Sequence, residues 1–279
     1  MNLCKNTLHI GLERPVRLLH VTDTHLPFSD ARDDERTQAL SASRKSWAPD
    51  AERYLQEQLA YARENCDLLV HTGDLIDFLS KANVEYAREF VQEEHVFFIA
   101  GNHEYTHYLG EAWEDLAYRM TSYIQMGGGL GVPMFFNSRI VGGVNVVGID
   151  NGYYHFADWQ LWRLKREVAK GFPVILAFHD PLFEQSLYDY HISLPGADCT
   201  YLVGCDEEHL LPYSEFRAVQ QRPDDATLRM IDYICGEPAI KAILTGHLHF
   251  AFESMITPTL PQYVTGAGYR GDARELTIT

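Results

Sequence analysis

The stretch VRLLHVTDTH, residues 16 to 25, decides the fold. From Val16 to Val21, apolar side chains fall on both parities, so neither face is left for water. Such a run reads as a strand buried on both sides, the kind that parallel sheets contain. It ends in Asp23-Thr24-His25, a carboxylate and an imidazole two positions apart. Five further runs share this composition: DLLVHTGD (67–74), HVFFIAGN (95–102), VNVVGID (144–150), PVILAFHD (173–180) and KAILTGH (241–247). Helical spacing fills the intervals at DAERYLQEQLAYAREN (50–65), VEYAREFVQEE (84–94) and DWQLWRLKREVAK (158–170). Strands alternating with helices predict an α/β fold around a largely parallel sheet. The tail segments FESMITP, PQYVTG and ARELTIT read as short strands, an antiparallel extension.

Two segments interrupt the alternation. Residues 26–50 are polar and charged without a clear period, and residues 184–226 read as a long loop-rich segment containing Tyr188, Tyr190, Tyr201 and Tyr213. Loops of that length inside a domain are usually functional or mobile. With no repeat or linker in view, the expectation is one domain over 1–279 with insertions at about 26–50 and 184–226.

The chain has 279 residues, 46% of them apolar, which supports a sizeable core. Its formal charge of −16 argues against nonspecific binding to nucleic acid or to an anionic membrane. A phosphate-bearing substrate remains compatible, because bound cations reverse the field locally. Cys4, Cys66, Cys199, Cys205 and Cys235 are scattered and form no C-x-x-C, as expected of reduced thiols. The N-terminal MNLCKNTLHIGLERP lacks the apolar core of a signal peptide, and no run reaches the roughly 18 apolar residues of a membrane span. These features predict a cytoplasmic protein without a membrane partner.

The strand ends carry the chemistry. The first ends in Asp23-Thr24-His25, and the second in Gly73-Asp74, with Asp77 three residues on. The third ends in Gly101-Asn102-His103-Glu104, the fifth in His179, and the sixth in Gly246-His247-Leu248-His249. In open parallel sheets the carboxyl ends of strands share one edge, where ligands bind. The donors Asp23, His25, Asp74, Asn102, His179, His247 and His249 are therefore expected to converge. Imidazole nitrogens mixed with hard oxygens suit Mn, Fe or Zn ions better than Ca²⁺ or a thiolate-seeking metal. Seven donors exceed the needs of one such ion and suit two that share a carboxylate. Each residue alone has a structural reading, as a helix cap, a turn residue or a buried strand-end histidine. His20 and His71 read as packed at strand ends, and Asp150 as a cap or the rim of a site.

D-x-H at 23–25, G-D-x-x-D at 73–77, G-N-H-E at 101–104, His179 and G-H-x-H at 246–249 together resemble the calcineurin-like metallophosphoesterase family. The resemblance runs from residue 16 to about 268. It implies a layered sandwich of two mixed β-sheets flanked by helices, the metallo-dependent phosphatase-like fold. It implies a first metal on Asp23, His25 and His249, a second on Asn102, His179 and His247, and Asp74 bridging them. It also implies a metal-bridging hydroxide as nucleophile on a small phosphodiester or phosphomonoester. His103 would protonate the leaving oxygen or stabilise the phosphate, and Asp77 would orient His103 by a hydrogen bond. Purple acid phosphatases place a tyrosine where Asp77 stands, and protein Ser/Thr phosphatases follow this motif with Arg-Gly rather than Phe78-Leu79. Two other readings share the fold: a non-catalytic interaction scaffold, which usually loses a ligand or the acid histidine, and a nuclease. The acidic charge disfavours long nucleic acid as a partner.

Overall fold

The computed structural model describes residues 1–109 and 115–279. Its first sheet contains β1 (Asn2–Leu8), β2 (Val16–Val21), β3 (Leu68–His71), β4 (Val96–Phe98) and β11 (Asp272–Ile278), in the order β1-β11-β2-β3-β4. The second contains β5 (Phe136–Val141), β6 (Val144–Ile149), β7 (Val174–Ala177), β8 (Ile240–Thr245), β9 (Phe252–Thr257) and β10 (Leu260–Val264), in the order β5-β6-β7-β8-β10-β9. Both sheets are mixed. β2, β3 and β4 run parallel while β11 is antiparallel to β2. β6, β7, β8 and β10 run parallel between antiparallel edge partners.

The helices are α1 (Glu35–Trp47), α2 (Ala51–Asn65), α3 (Lys81–Phe90), α4 (Leu116–Gln125), α5 (Asp158–Val168), α6 (Gln185–Ile192), α7 (Glu207–Leu210), α8 (Glu215–Gln221) and α9 (Asp225–Gly236). Strand parity explains the layers, because successive side chains point to opposite faces. Leu18, Val70 and Phe97 meet Val146, Ile175 and Leu244 between the sheets. Their neighbours Leu19, Leu69 and Phe98 face outward onto Leu55, Leu59, Ala87 and Phe90 of α2 and α3. Val147, Leu176 and Ile243 do the same against α5 and α9, through Leu164, Met230 and Ile234. Continuous apolar runs were needed because both faces of each central strand are covered. Among the described residues no helix is long and apolar enough to cross a membrane.

Three features differ from the expectations. The tail does not form one antiparallel extension: β9 and β10 complete the second sheet, while β11 enters the first between β1 and β2. Leu276 and Ile278 require this, because both join the layer between the sheets. The segment 184–226 is loop over about half its length, but the short helices α6, α7 and α8 fall within it. Each is too short to display an apolar period, and each begins at a side-chain cap, on Glu184, Asp206 and Ser214. The aperiodic stretch 26–50 contains α1, which buries only Ser41 and so carries no apolar stripe to read.

Candidate metal centre

The parallel strands of both sheets deliver their ends to one edge, and the turns that follow are stitched together by backbone bonds. Asp23 N–H donates to Gly73 O at 3.0 Å, and His25 N–H to Asp74 O at 2.9 Å. Asp23, His25, Asp74, His247 and His249 adopt φ of 52°, 49°, 54°, 68° and 58°, the left-handed region that non-glycine residues rarely enter. Gly73, itself at φ 100°, lets the second turn pass so close to Gly101 that a Cβ would lie 2.3 Å from Gly101 N.

The expected donors come together here. Asp23 Oδ1 lies 3.3 Å from His249 Nε2 and 3.7 Å from His25 Nε2. Asp74 Oδ2 lies 3.2 Å from His179 Nε2 and 3.7 Å from His25 Nε2, so this carboxylate faces both groups. Asp23, His25 and His249 form one cluster able to hold a cation, and Asp74, His179 and His247 form another. His25, Asp74 and His103 form a third, overlapping both. Asn102 follows Gly101 at the end of β4, and its Oδ1 is buried with no hydrogen-bond partner among the described residues.

The second nitrogen of each ring shows which atom is left for an ion. His179 Nδ1 lies 2.7 Å from the Thr72 carbonyl and His103 Nδ1 lies 2.7 Å from the Asp77 carbonyl. A carbonyl only accepts, so both Nδ1 atoms carry the proton and both Nε2 atoms face the centre. His25 Nδ1 lies 3.0 Å from Asp77 Oδ1, which fixes the same tautomer. His247 is reversed: its Nε2 meets Tyr154 Oη at 3.4 Å, and its Nδ1 points inward, 3.1 Å from His179 Nε2. Inward nitrogens this close, with His25 Nε2 also 3.0 Å from His249 Nε2, repel unless positive charge lies between them.

The titration of these groups expresses the same demand. Burial disfavours a charged His25, yet Asp23, Asp77 and Asp74 overcome it and raise its pKa to about 10. His179 is likewise raised well above its usual value against burial, by Asp74 and then Asp23. Asp77 is held at about 2, the bonds from His25 and Arg44 outweighing burial. His103 and His247 shift downward, chiefly through burial. The protein thus encloses carboxylates that recruit protons onto neighbouring imidazoles, and divalent cations would satisfy the same field. The orphaned Asn102 oxygen and the mixed nitrogen and oxygen donors fit metals of the Mn, Fe and Zn type.

Asp77 bonds His103 through its carbonyl, while its carboxylate turns to His25 and Arg44. Sequence reasoning passed over three supports. Glu104 is fully buried and accepts backbone N–H groups of Asp74, Leu75 and Gly101 at 2.7–2.9 Å, tying two turns together. Burial, then the Asp74 charge, pushes its pKa up to about 7. Arg44 and Trp47 of α1 reach Asp77 and Tyr269 respectively. Glu104 stood in the quoted G-N-H-E motif, but which amides need a partner is invisible in one dimension. His71 and His20 are buried and bonded to Thr24 and Thr72. Asp150 pairs with Arg119 and accepts from Tyr105 Oη at 2.8 Å.

A family model, calcineurin-like phosphoesterase, matches residues 16–251, and the chain belongs to that family of metal-dependent phosphoesterases. A curated relative from Psychrobacter arcticus, named a probable cyclic nucleotide phosphodiesterase, is 31% identical over 99 residues. That match covers 34% of this chain and 34% of the relative, so the likeness spans about a third of each. Similar solved structures include a dimetal phosphatase from Danio rerio, at 15% identity, covering 91% of this chain and 88% of that one, TM-score 0.46. The phosphopantetheinyl hydrolase of Mycobacterium tuberculosis is 13% identical, with 91% and 90% covered and a TM-score of 0.43. A 5′-nucleotidase from Candida albicans is 14% identical, and the match covers 91% of this chain but 45% of that one, TM-score 0.41.

Proposed function

We propose that this chain hydrolyses small phosphate esters with two metal ions of the Mn, Fe or Zn type, acting on phosphodiesters of modest size first and monoesters second. The observation that carries this reading is the pair of donor clusters, Asp23 with His25 and His249 and Asp74 with His179 and His247, joined by the Asp74 carboxylate that lies 3.7 Å from His25 Nε2 and 3.2 Å from His179 Nε2. Asp23, His25 and His249 would hold one ion, Asn102, His179 and His247 the other, and Asp74 would serve both. Two bound ions supply charge against the phosphate oxygens and water activated near neutral pH.

The chain's own groups do the rest. Glu104 fixes the two turns that present Asp74 and Asn102, so the donors stay in place as charge moves. His103 keeps Nδ1–H on the Asp77 carbonyl, which aims Nε2 at the reaction space. When protonated there, it hands its proton to the departing oxygen, a task suited to imidazole. Its side chain is 17% exposed, so a substrate can reach the ring.

Retention of every ligand and of His103 favours catalysis over a scaffold role. The charge of −16 disfavours long nucleic acid. The name of the Psychrobacter relative agrees with a diester substrate. The cysteines are all free, which supports a reducing compartment such as the cytoplasm. The test is hydrolysis of bis(nitrophenyl) phosphate, nitrophenyl phosphate and cyclic nucleotides with Mn²⁺, Fe²⁺ or Zn²⁺. Turnover abolished by chelator, with the diester preferred, is expected. Folded protein that turns over none of these with any of the three ions refutes the reading.

A further inference from the structure

Helix α1 lacks the apolar face that normally docks a helix. Of its 13 residues only Ser41 is buried, and its Oγ donates to Pro27 O at 2.5 Å. Near its N-terminus Gln38 Nε2 donates to Asp33 O at 2.8 Å and Arg36 lies over the Tyr108 ring, while the ties of its last turn lead to the metal centre. Trp47 packs on Tyr269 with ring centroids 4.1 Å apart, and the Arg44 guanidinium lies 3.8 Å over the Trp47 ring. Arg44 then grips Asp77 with two bonds, Nε to Oδ2 at 2.5 Å and Nη2 to Oδ1 at 3.0 Å.

Asp77 is wholly buried, and its Oδ1 also accepts from His25 Nδ1 at 3.0 Å. The same oxygen lies 3.6 Å from His103 Nδ1, so a free carboxylate could rotate between the two rings. A planar fork bonded to both oxygens removes that freedom, and stacking on Trp47 holds the fork still. We propose that Arg44 is a positioning residue for the metal centre: through Asp77 it holds the His25 ring with Nε2 turned toward Asp23 and Asp74. The inference rests on the two-ion reading, in which His25 is a ligand of the first ion. It gives the insertion at 26–50 a task in building the site that no motif of the strand ends reveals.

Outer partners of metal-bound histidines typically contribute about 10- to 100-fold in metal affinity. The test is calorimetric titration of metal-free protein with Mn²⁺, for wild type, Arg44→Ala, Arg44→Lys and Ser41→Ala, each shown to be folded by circular dichroism. Arg44→Ala is expected to weaken one of two binding events by about 10- to 100-fold and to leave the other within about threefold. Arg44→Lys recovers only part of that loss, because an ammonium cannot bond both oxygens in one plane. Ser41→Ala removes the one buried polar tie of α1 without touching Asp77 and leaves both events unchanged. An Arg44→Ala variant with wild-type affinity overturns the inference, as does a Ser41→Ala variant that loses as much, since α1 would then be a mere anchor. If Arg44→Ala fails to fold, wild-type affinity in Arg44→Lys overturns it. Wild-type protein that binds none of Mn²⁺, Fe²⁺ and Zn²⁺ overturns the two-ion reading itself.

Discussion

Replacing Gly101 with alanine tests how the centre is built, with a single methyl group. Gly101 is not among the positive-φ glycines, so its backbone accepts alanine and the effect comes from contact alone. A Cβ there would lie 2.3 Å from Asp74 Oδ1, 2.9 Å from Asp74 N and 2.9 Å from His179 Cδ2. Carbon and oxygen normally approach to about 3.3 Å, so something must move by about 1 Å. The carboxylate has little room to yield. Its Oδ1 accepts the His103 N–H at 2.9 Å and its Oδ2 faces His179 Nε2 at 3.2 Å. The Asp74 amide is tied to Glu104 at 2.9 Å. Displacing a reacting geometry by about 1 Å costs on the order of 10²-fold, equivalent to about 2.7 kcal/mol of transition-state stabilisation. Overpacking adds about 1–3 kcal/mol of destabilisation, a fall of several degrees in Tm. Steady-state kinetics on the nitrophenyl diester, with metal content by mass spectrometry and Tm by calorimetry, read all three quantities. A Gly101→Ala enzyme that holds two ions and keeps kcat/KM within about threefold of wild type refutes the reasoning.

Two further outcomes follow from the same geometry. Removing the ions with EDTA lowers Tm, because each ion held at about 100 times its Kd contributes about 2.7 kcal/mol and two contribute about 5.4. At about 2.1 cal/mol/K per residue over 279 residues, that is a drop of about 9 °C by scanning calorimetry, and a Tm indifferent to Mn²⁺ counts against the cage. His103→Ala lowers kcat by about 10²–10⁴ on alkyl phosphodiesters, whose leaving oxygens need a proton, but much less on nitrophenyl esters, while calorimetry shows metal binding intact. Equal losses on both leaving groups remove His103 from the acid role.

What the sequence revealed and what it hid have physical reasons. Asp23, Asp74, Asn102, His179, His247 and His249 stood out because, although each alone could be a cap, a turn residue or a packed histidine, together they recur at the ends of five strands buried on both faces. Parallel pairing then required those ends to meet. The two rings that Asp77 serves, through its carbonyl and its carboxylate, could not be separated, since that is a rotamer choice. Arg44 escaped notice because α1 shows no apolar period and its partner lies 33 residues away. β1 escaped for a similar reason: it is a largely exposed edge strand, and its register with β11 pairs Asn2 with Asp272, across nearly the whole chain.

The backbone at the ligands shows why regular structure alone could not make this site. Continuing β2 in extended form would hold Asp23 and His25 about 6.6 Å apart with their side chains parallel. Their donor atoms instead lie 3.7 Å apart, because both residues turn into the left-handed region and tip their side chains inward. Five of the seven candidate ligands do this. Aspartate and histidine tolerate that conformation better than most residues, so the types that bind metal are also the types that permit the turn. At about 1 kcal/mol each, the five carry about 5 kcal/mol of strain, close to what two well-held ions would return. Tyr154 and Tyr201, also at positive φ, extend the strain to the wall beside His247, with the Tyr201 ring centroid 5.6 Å from that imidazole. Bulky aromatics bear this conformation less well than aspartate, so their presence there marks geometry held by the surroundings for the sake of the site. The strain therefore gathers where donors must converge, while the strands that deliver them remain regular.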